Sequence, residues 1–157
     1  MKVNSVRLEH SQYMQQALAL AQQAGSLGEI PIGAVIVNSD GDVIATGFNS
    51  REARHDPTAH AEIIALRAAG EKLHDWRLTD TTMYVTLEPC PMCAGAITMS
   101  RISRLVIGAW NDEYGAAGSR WDLVRDPRLN HQVEVIPGVM AQECGALVSE
   151  FLAQRRV

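Results

Sequence analysis

An α/β fold, a three-layer α/β/α sandwich around a mixed five-stranded sheet, is what this 157-residue sequence predicts. Three observations carry that reading. Strand-like apolar runs alternate with helical ones along the chain, the order of a sheet covered by helices. Two neighbouring runs, IGAVIV and VIATGF, flank NSDGD, a turn rich in Asp and Gly, and so read as an antiparallel hairpin. The later runs are joined through helical segments at 57–70 and 91–101, which call for right-handed parallel crossovers.

Taken in order, residues 11–24 (SQYMQQALALAQQA) place Met14, Ala17, Leu18 and Ala21 on one helical face. Ser11 is its expected N-cap, and Gly25 and Gly28 end it. After the hairpin, Asp56-Pro57 reads as a helix start, a capping side chain followed by proline, leading into AHAEIIALRAAG. TTMYVTL (81–87) is a strand, and Pro89 or Pro91 opens a helix through CAGAITMS. RLVIGAW (104–110) is a further strand, followed by the glycine-rich loop NDEYGAAGS. A short strand VEVI (133–136) precedes a last amphipathic helix over roughly 140–154. No internal repeat, low-complexity tract or linker interrupts the chain, so residues 1–157 read as one domain.

Composition narrows the class of protein. An apolar share of 46% describes an ordinary globule, and no apolar run approaches the roughly 20 residues that cross a bilayer. MKVNSVRLEH lacks the apolar stretch of a secretory signal, so the chain is expected in the cytoplasm. The three cysteines, Cys90, Cys93 and Cys144, are then expected as thiols or metal ligands rather than disulfides. A net charge of −4 argues against a general nucleic-acid binder. Residues 100–157, however, draw all seven of their basic side chains from arginine, whose planar fork suits phosphate. A solvated mixed-charge surface accounts for those arginines equally well.

The pair in EPCPMC (88–93) fits three chemistries: a redox switch, half of a structural zinc knot, or part of a working metal site. Both EPCPMC and HDPTAHAEI (55–63) fall where a strand or loop hands over to a helix. Unpaired N–H groups at a helix start favour thiolate over thiol, and zinc binds thiolate and neutral imidazole. Cys90, Cys93 and His60 therefore form a candidate ligand set. A closed structural site takes four ligands, and Cys144 in ECGALVSEFL reads as the buried face of the last helix. Three protein ligands leave a fourth position for water, the arrangement of a catalytic zinc. Glu62 would take that water's proton, provided His60 lies at an irregular helix start. On a regular helix, positions i and i+2 diverge by about 200°. Without the cysteines, Glu62 reads as a solvated helix charge.

The order H-x-E followed by P-C-x-x-C, with a strand between, is that of zinc nucleobase deaminases. With PIGAVIV, GFN, RHDPTAHAEI, YVTLEPCPMCAGAI, GAAGS, NHQVEV and ECGALVSEFL, the chain resembles bacterial tRNA-specific adenosine deaminases over nearly its whole length. That resemblance implies a cytidine deaminase-like fold, one Zn2+ per subunit, a homodimer and a tRNA anticodon stem-loop as partner. It also implies conversion of adenosine to inosine at wobble position 34, in an arginine tRNA with anticodon ACG. Residue by residue, it makes His60, Cys90 and Cys93 the zinc ligands and Glu62 the proton shuttle. Asn49 becomes a substrate contact rather than a plain turn residue, and Glu88 a support for the metal ligands. Arg54 and His55, with Arg51, become RNA contacts, for which surface solvation is an equal account. His10, His74 and His131 read as structural or exposed.

The chain departs from the pattern at Trp110-Asn111-Asp112, where many relatives have an aspartate. Losing that carboxylate at Asn111 would loosen the preference for a ribose 2′-OH and admit deoxyadenosine in single-stranded DNA, unless Asp112 takes the role. Free guanine or cytosine deaminases, which also carry DPTAHAE and EPCPMC, are the nearest alternative. A zinc-stabilised RNA-binding module and a thiol oxidoreductase are more distant ones.

Overall fold

The structure is a computed structural model that describes the backbone of residues 2–155 and the side chains of residues 5–155. Arg156 therefore lies outside the described residues. Its elements are α1 (Lys2–Ser26), β1 (Gly33–Val37), β2 (Val43–Phe48), α2 (Arg51–Arg54) and α3 (Ala61–Leu73). They continue as β3 (Thr82–Leu87), α4 (Pro91–Met99), β4 (Arg104–Ala109), β5 (Glu134–Ile136) and α5 (Ala141–Arg155).

The sheet has the order β2-β1-β3-β4-β5. β1 is antiparallel to both β2 and β3, whereas β3, β4 and β5 run parallel, so the expected mixed five-stranded sheet is present. Alternation along the strands divides the core into two layers. Ala34, Ile36, Met83, Val85, Leu105 and Ile107 face α3 and α4, packing with Ala61, Ala65, Ala94 and Ile97. Val35, Val37, Tyr84 and Val106 face the other way, against Met14, Ala17 and Leu18 of α1 and Cys144 of α5. Cys144 is thus a core residue, and burial pushes its thiol up to about 12.

Three boundaries differ from the sequence reading. Ser11 lies inside α1, which begins well before it. Gly25 is still helical; α1 ends at Ser26, and Gly28 lies in the turn beyond it, in the left-handed region at φ +83°. Asp56-Pro57 does not start a helix: the Asp56 carboxylate accepts the Thr58 amide at 2.8 Å and its hydroxyl at 2.7 Å, closing a tight turn, and α3 begins only at Ala61. The short α2 has no periodic signal of its own. It is held instead by Glu29, whose buried carboxylate accepts the Ala53 amide at 2.9 Å and the Glu52 amide at 3.3 Å.

The start of α3 is pinned to the sheet at Gly47. A β-carbon there would collide with the Ala61 carbonyl and stand 2.9 Å from the Ala65 amide nitrogen, so helix backbone lies directly on β2. Gly47→Ala is expected to destabilise the fold by at least about 2 kcal/mol, as overpacking against backbone does. Thermal unfolding reads this as a melting temperature lower by at least about 4 °C; an unchanged midpoint would contradict this packing.

Candidate metal centre and active site

The carboxyl ends of β2 and β3 lie on one edge of the sheet, and the chain leaves each of them toward a helix. His60 precedes α3 in extended conformation (φ −74°, ψ 153°), and Cys90 precedes α4 likewise (φ −71°, ψ 172°), with Pro91 opening that helix. Neither residue caps its helix with a side-chain hydrogen bond, so both side chains are turned to other use. The condition set by the His60–Glu62 spacing is therefore met: His60 stands outside the regular helix.

His60, Cys90 and Cys93 converge, their donor atoms all lying within 4.8 Å of one another. His60 Nδ1 is 3.6 Å from Cys90 Sγ and 3.4 Å from Cys93 Sγ. A tetrahedral ion with metal–sulfur bonds of about 2.3 Å and a metal–nitrogen bond of about 2.0 Å has N···S edges of about 3.5 Å. The donor spacing therefore matches a zinc tetrahedron, with two sulfurs and one imidazole as its soft face. Two helix N-termini meet here, and their partial positive charge favours anionic ligands.

The titrations reflect this crowding. Cys90 is pulled down to about 4, chiefly by the hydrogen bond from the Cys93 thiol and further by His60. Cys93 is pushed above the ordinary thiol range by that same bond and by burial. His60 is raised, first by its contact with Cys90. Glu62, buried among His60, Cys90 and Cys93, is raised by desolvation and so tends to keep its proton.

Asn49 is buried at the end of β2; its amide donates to the Ile32 carbonyl at 3.1 Å, while its side-chain Oδ1 has no hydrogen-bond partner. A buried polar atom left unpaired is destabilising unless something else meets it. Asn49 lines a cleft of about 250 Å³ together with Arg51 and, from α5, Phe151 and Arg155. Arg54 and His55 are exposed on and after α2, with His55 in the left-handed region at φ 50°.

Glu88 is buried, and its carboxylate gathers the loop after β4. Oε1 accepts the Asn111 amide at 3.0 Å; Oε2 accepts those of Ala117 and Ser119 at 2.9 and 3.0 Å. The Ala116 amide also donates to the Pro89 carbonyl at 2.8 Å. Glu88 thus ties the 110–119 loop to the segment bearing Cys90, a role with no signature in sequence because the partners are 23–31 residues away. Asn111 spends its Oδ1 on its own turn, accepting the Tyr114 amide at 3.1 Å and the Glu113 amide at 3.3 Å, while Asp112 beside it is exposed. His10 pairs with the Tyr84 hydroxyl at 2.8 Å and His131 with the Ile102 carbonyl at 2.6 Å, which leaves both outside the centre. Glu29, unremarked in the sequence, supports the segment between Asn49 and His60 from 23–24 residues away.

Residues 7–109 match the family model for the cytidine and deoxycytidylate deaminase zinc-binding region. The chain belongs to this zinc deaminase family. A tRNA-specific adenosine deaminase of Haemophilus influenzae is 49% identical over 99% of this chain and 91% of its own length. That of Bacillus subtilis is 44% identical over 92% and 89%. A structure solved in a study of A-to-I editing by tRNA:A34 deaminases at the wobble position superposes with a TM-score of 0.83, at 43% identity, covering 87% of this chain and 98% of that one. Guanine deaminases share this deaminase fold at lower identity: that of Nitrosomonas europaea has a TM-score of 0.77 at 28% identity, covering 91% and 84%.

Because Cys90 is held low while Cys93 and His60 are raised, zinc must displace protons on entering. Roughly one to two are expected per ion near pH 7, so affinity rises with pH. Calorimetry in buffers of different ionisation enthalpy counts them, and a proton-free association would contradict the assignment. Glu88→Gln is expected to keep zinc while speeding hydrogen exchange at the Ala117 and Ser119 amides, a loss of about 1–3 kcal/mol of local order. Unchanged protection there would remove Glu88 from that role.

Proposed function

We infer that this chain, one deaminase domain over residues 1–157, hydrolyses adenosine to inosine at wobble position 34 of a tRNA anticodon. The observation that carries this reading is the open three-donor centre with a buried carboxyl against it. It lies in a chain 49% identical to a tRNA-specific adenosine deaminase. The net reaction exchanges the exocyclic amine at C6 for an oxygen from water and releases ammonia. His60, Cys90 and Cys93 would hold one zinc, which when bound supplies a water whose pKa is lowered to about 7. Glu62 takes a proton from the attacking water and delivers it to the ring nitrogen beside C6; the proton of the new C6 hydroxyl then passes through the same carboxylate to the amine, which departs as ammonia. Asn49 Oδ1, buried and unpaired, is the group available to a substrate hydroxyl or amine. Arg54, His55 and Asp112 are exposed on the segments that border the centre and supply the outer contacts to RNA. An arginine tRNA with anticodon ACG, in the cytoplasm, is the substrate we assign.

A second copy of the chain is the assigned partner of the apolar groove between α3 and α4. This groove, about 1070 Å³, is lined by Ile63, Leu66, Trp76 and Met99. Met99 is 70% exposed at the end of α4, the helix that carries Cys93. Covering it with a symmetric copy would bury that apolar surface on the two helices whose N-terminal ends carry the centre. No helix of the described residues is long and apolar enough to cross a membrane.

Glu62→Ala is expected to retain zinc and fold while losing at least about 10²-fold in kcat/KM. Sequencing an ACG anticodon hairpin after incubation reads inosine directly, and free guanine and cytosine serve as competing substrates. Ammonia release from a free base with none from the hairpin would transfer the chain to the free-base deaminases.

A further inference from the structure

Three of the chain's exposed large apolar side chains, Trp110, Tyr114 and Trp121, stand within one loop, 44%, 63% and 46% exposed. Aromatic side chains are costly to leave in water, and three of them in one short loop make it a candidate contact surface. This loop is not free-standing. Glu88 and the Pro89 carbonyl bolt it to the segment that leads into Cys90.

Gly118 organises the aromatics. Its φ of +140° is one that a side chain rarely adopts, and its amide donates to the Trp121 carbonyl at 2.9 Å. A β-carbon at Gly118 would stand 3.2 and 3.3 Å from Cζ3 and Cη2 of Trp110, and 3.1 Å from an Arg125 nitrogen. The benzo edge of Trp110 is therefore seated on backbone, while nearly half of the residue stays exposed. Arg120 holds its guanidinium 5.9 Å from the Trp121 ring. Between Trp110 and Arg125 the charges nearly cancel: Asp112, Glu113 and Asp122 against Arg120 and Arg125. Such a surface has little to offer a phosphate and much to offer a base, since any nucleobase presents a face that stacks on indole.

We propose that Trp110 is a stacking platform for the unpaired base that flanks the target adenosine. The proposal rests on the polynucleotide substrate assigned above, and it makes Trp110 a specificity determinant for single-stranded loops over free nucleosides. Holding the neighbouring base splayed keeps the target from restacking.

The test is a binding cycle on the zinc-loaded full chain, using an ACG hairpin and copies made abasic at each loop position in turn. Trp110→Ala is expected to weaken binding of the intact hairpin roughly five- to hundredfold. Trp110→Phe should restore most of the affinity. At one flanking position the abasic hairpin should bind wild type as weakly as the variant binds the intact hairpin, with no further loss when both changes are combined. Wild-type affinity in Trp110→Ala overturns the platform, as do losses that multiply at every loop position. Absence of deamination by the wild type refutes the assigned substrate instead, and the binding cycle then still decides the platform by itself.

Discussion

Two helices that begin side by side on one edge of the sheet, each without a side-chain cap, impose the constraint on which the rest of this structure depends. His60 and Cys90 hold the extended conformation that would let a Ser or Asp cap the helix, yet they turn their side chains toward each other. Both helix N-termini are thereby left to polarise the space between them. The N···S separations of 3.4 and 3.6 Å follow from that arrangement and match the edges of a zinc tetrahedron. Moving either helix start by a fraction of its rise would separate the donors, which is why the close seat of α3 on Gly47 bears on the metal as much as on stability.

Buried acids do much of the positioning around this centre, each in a different way. Glu62 is desolvated beside the ligands, which raises it above the ordinary carboxyl range. Glu88 and Glu29 are buried as well, but spend their oxygens on backbone amides of the β4 loop and of α2. Carboxylates gathering several amides order loops without secondary structure of their own. The segments on both sides of the active edge are thus fixed by side chains rather than by sheet or helix ladders. The exposed aromatics of the β4 loop are presented on that fixed base.

The ligand set was legible because its spacing is local and its chemistry is narrow. Two cysteines at i, i+3 behind a proline, and a histidine two residues before an acid, admit few arrangements that place them together. The strand and helix alternation was legible for a similar reason, since periodicity records burial. The differences fell at helix termini, two of them at helix starts. Asp56-Pro57 has the composition of a cap, but the Asp56 carboxylate closes a turn onto Thr58, so the helix begins four residues beyond Pro57. Ser11 has the composition of a cap too, yet helix continues through it, and the turn before it is held to the sheet by buried His10, bonded to the Tyr84 hydroxyl.

Sequence by itself determined the class of chemistry, because zinc selects thiolate and imidazole and the count of available donors left one position open. Which edge of the sheet carries the centre, that Glu62 is buried while Asp112 is not, and that Glu88 serves a loop rather than a ligand were decided only by tertiary structure. Each of those facts depends on partners brought from many residues away, and solvent exclusion and amide geometry exist only after the layers have packed.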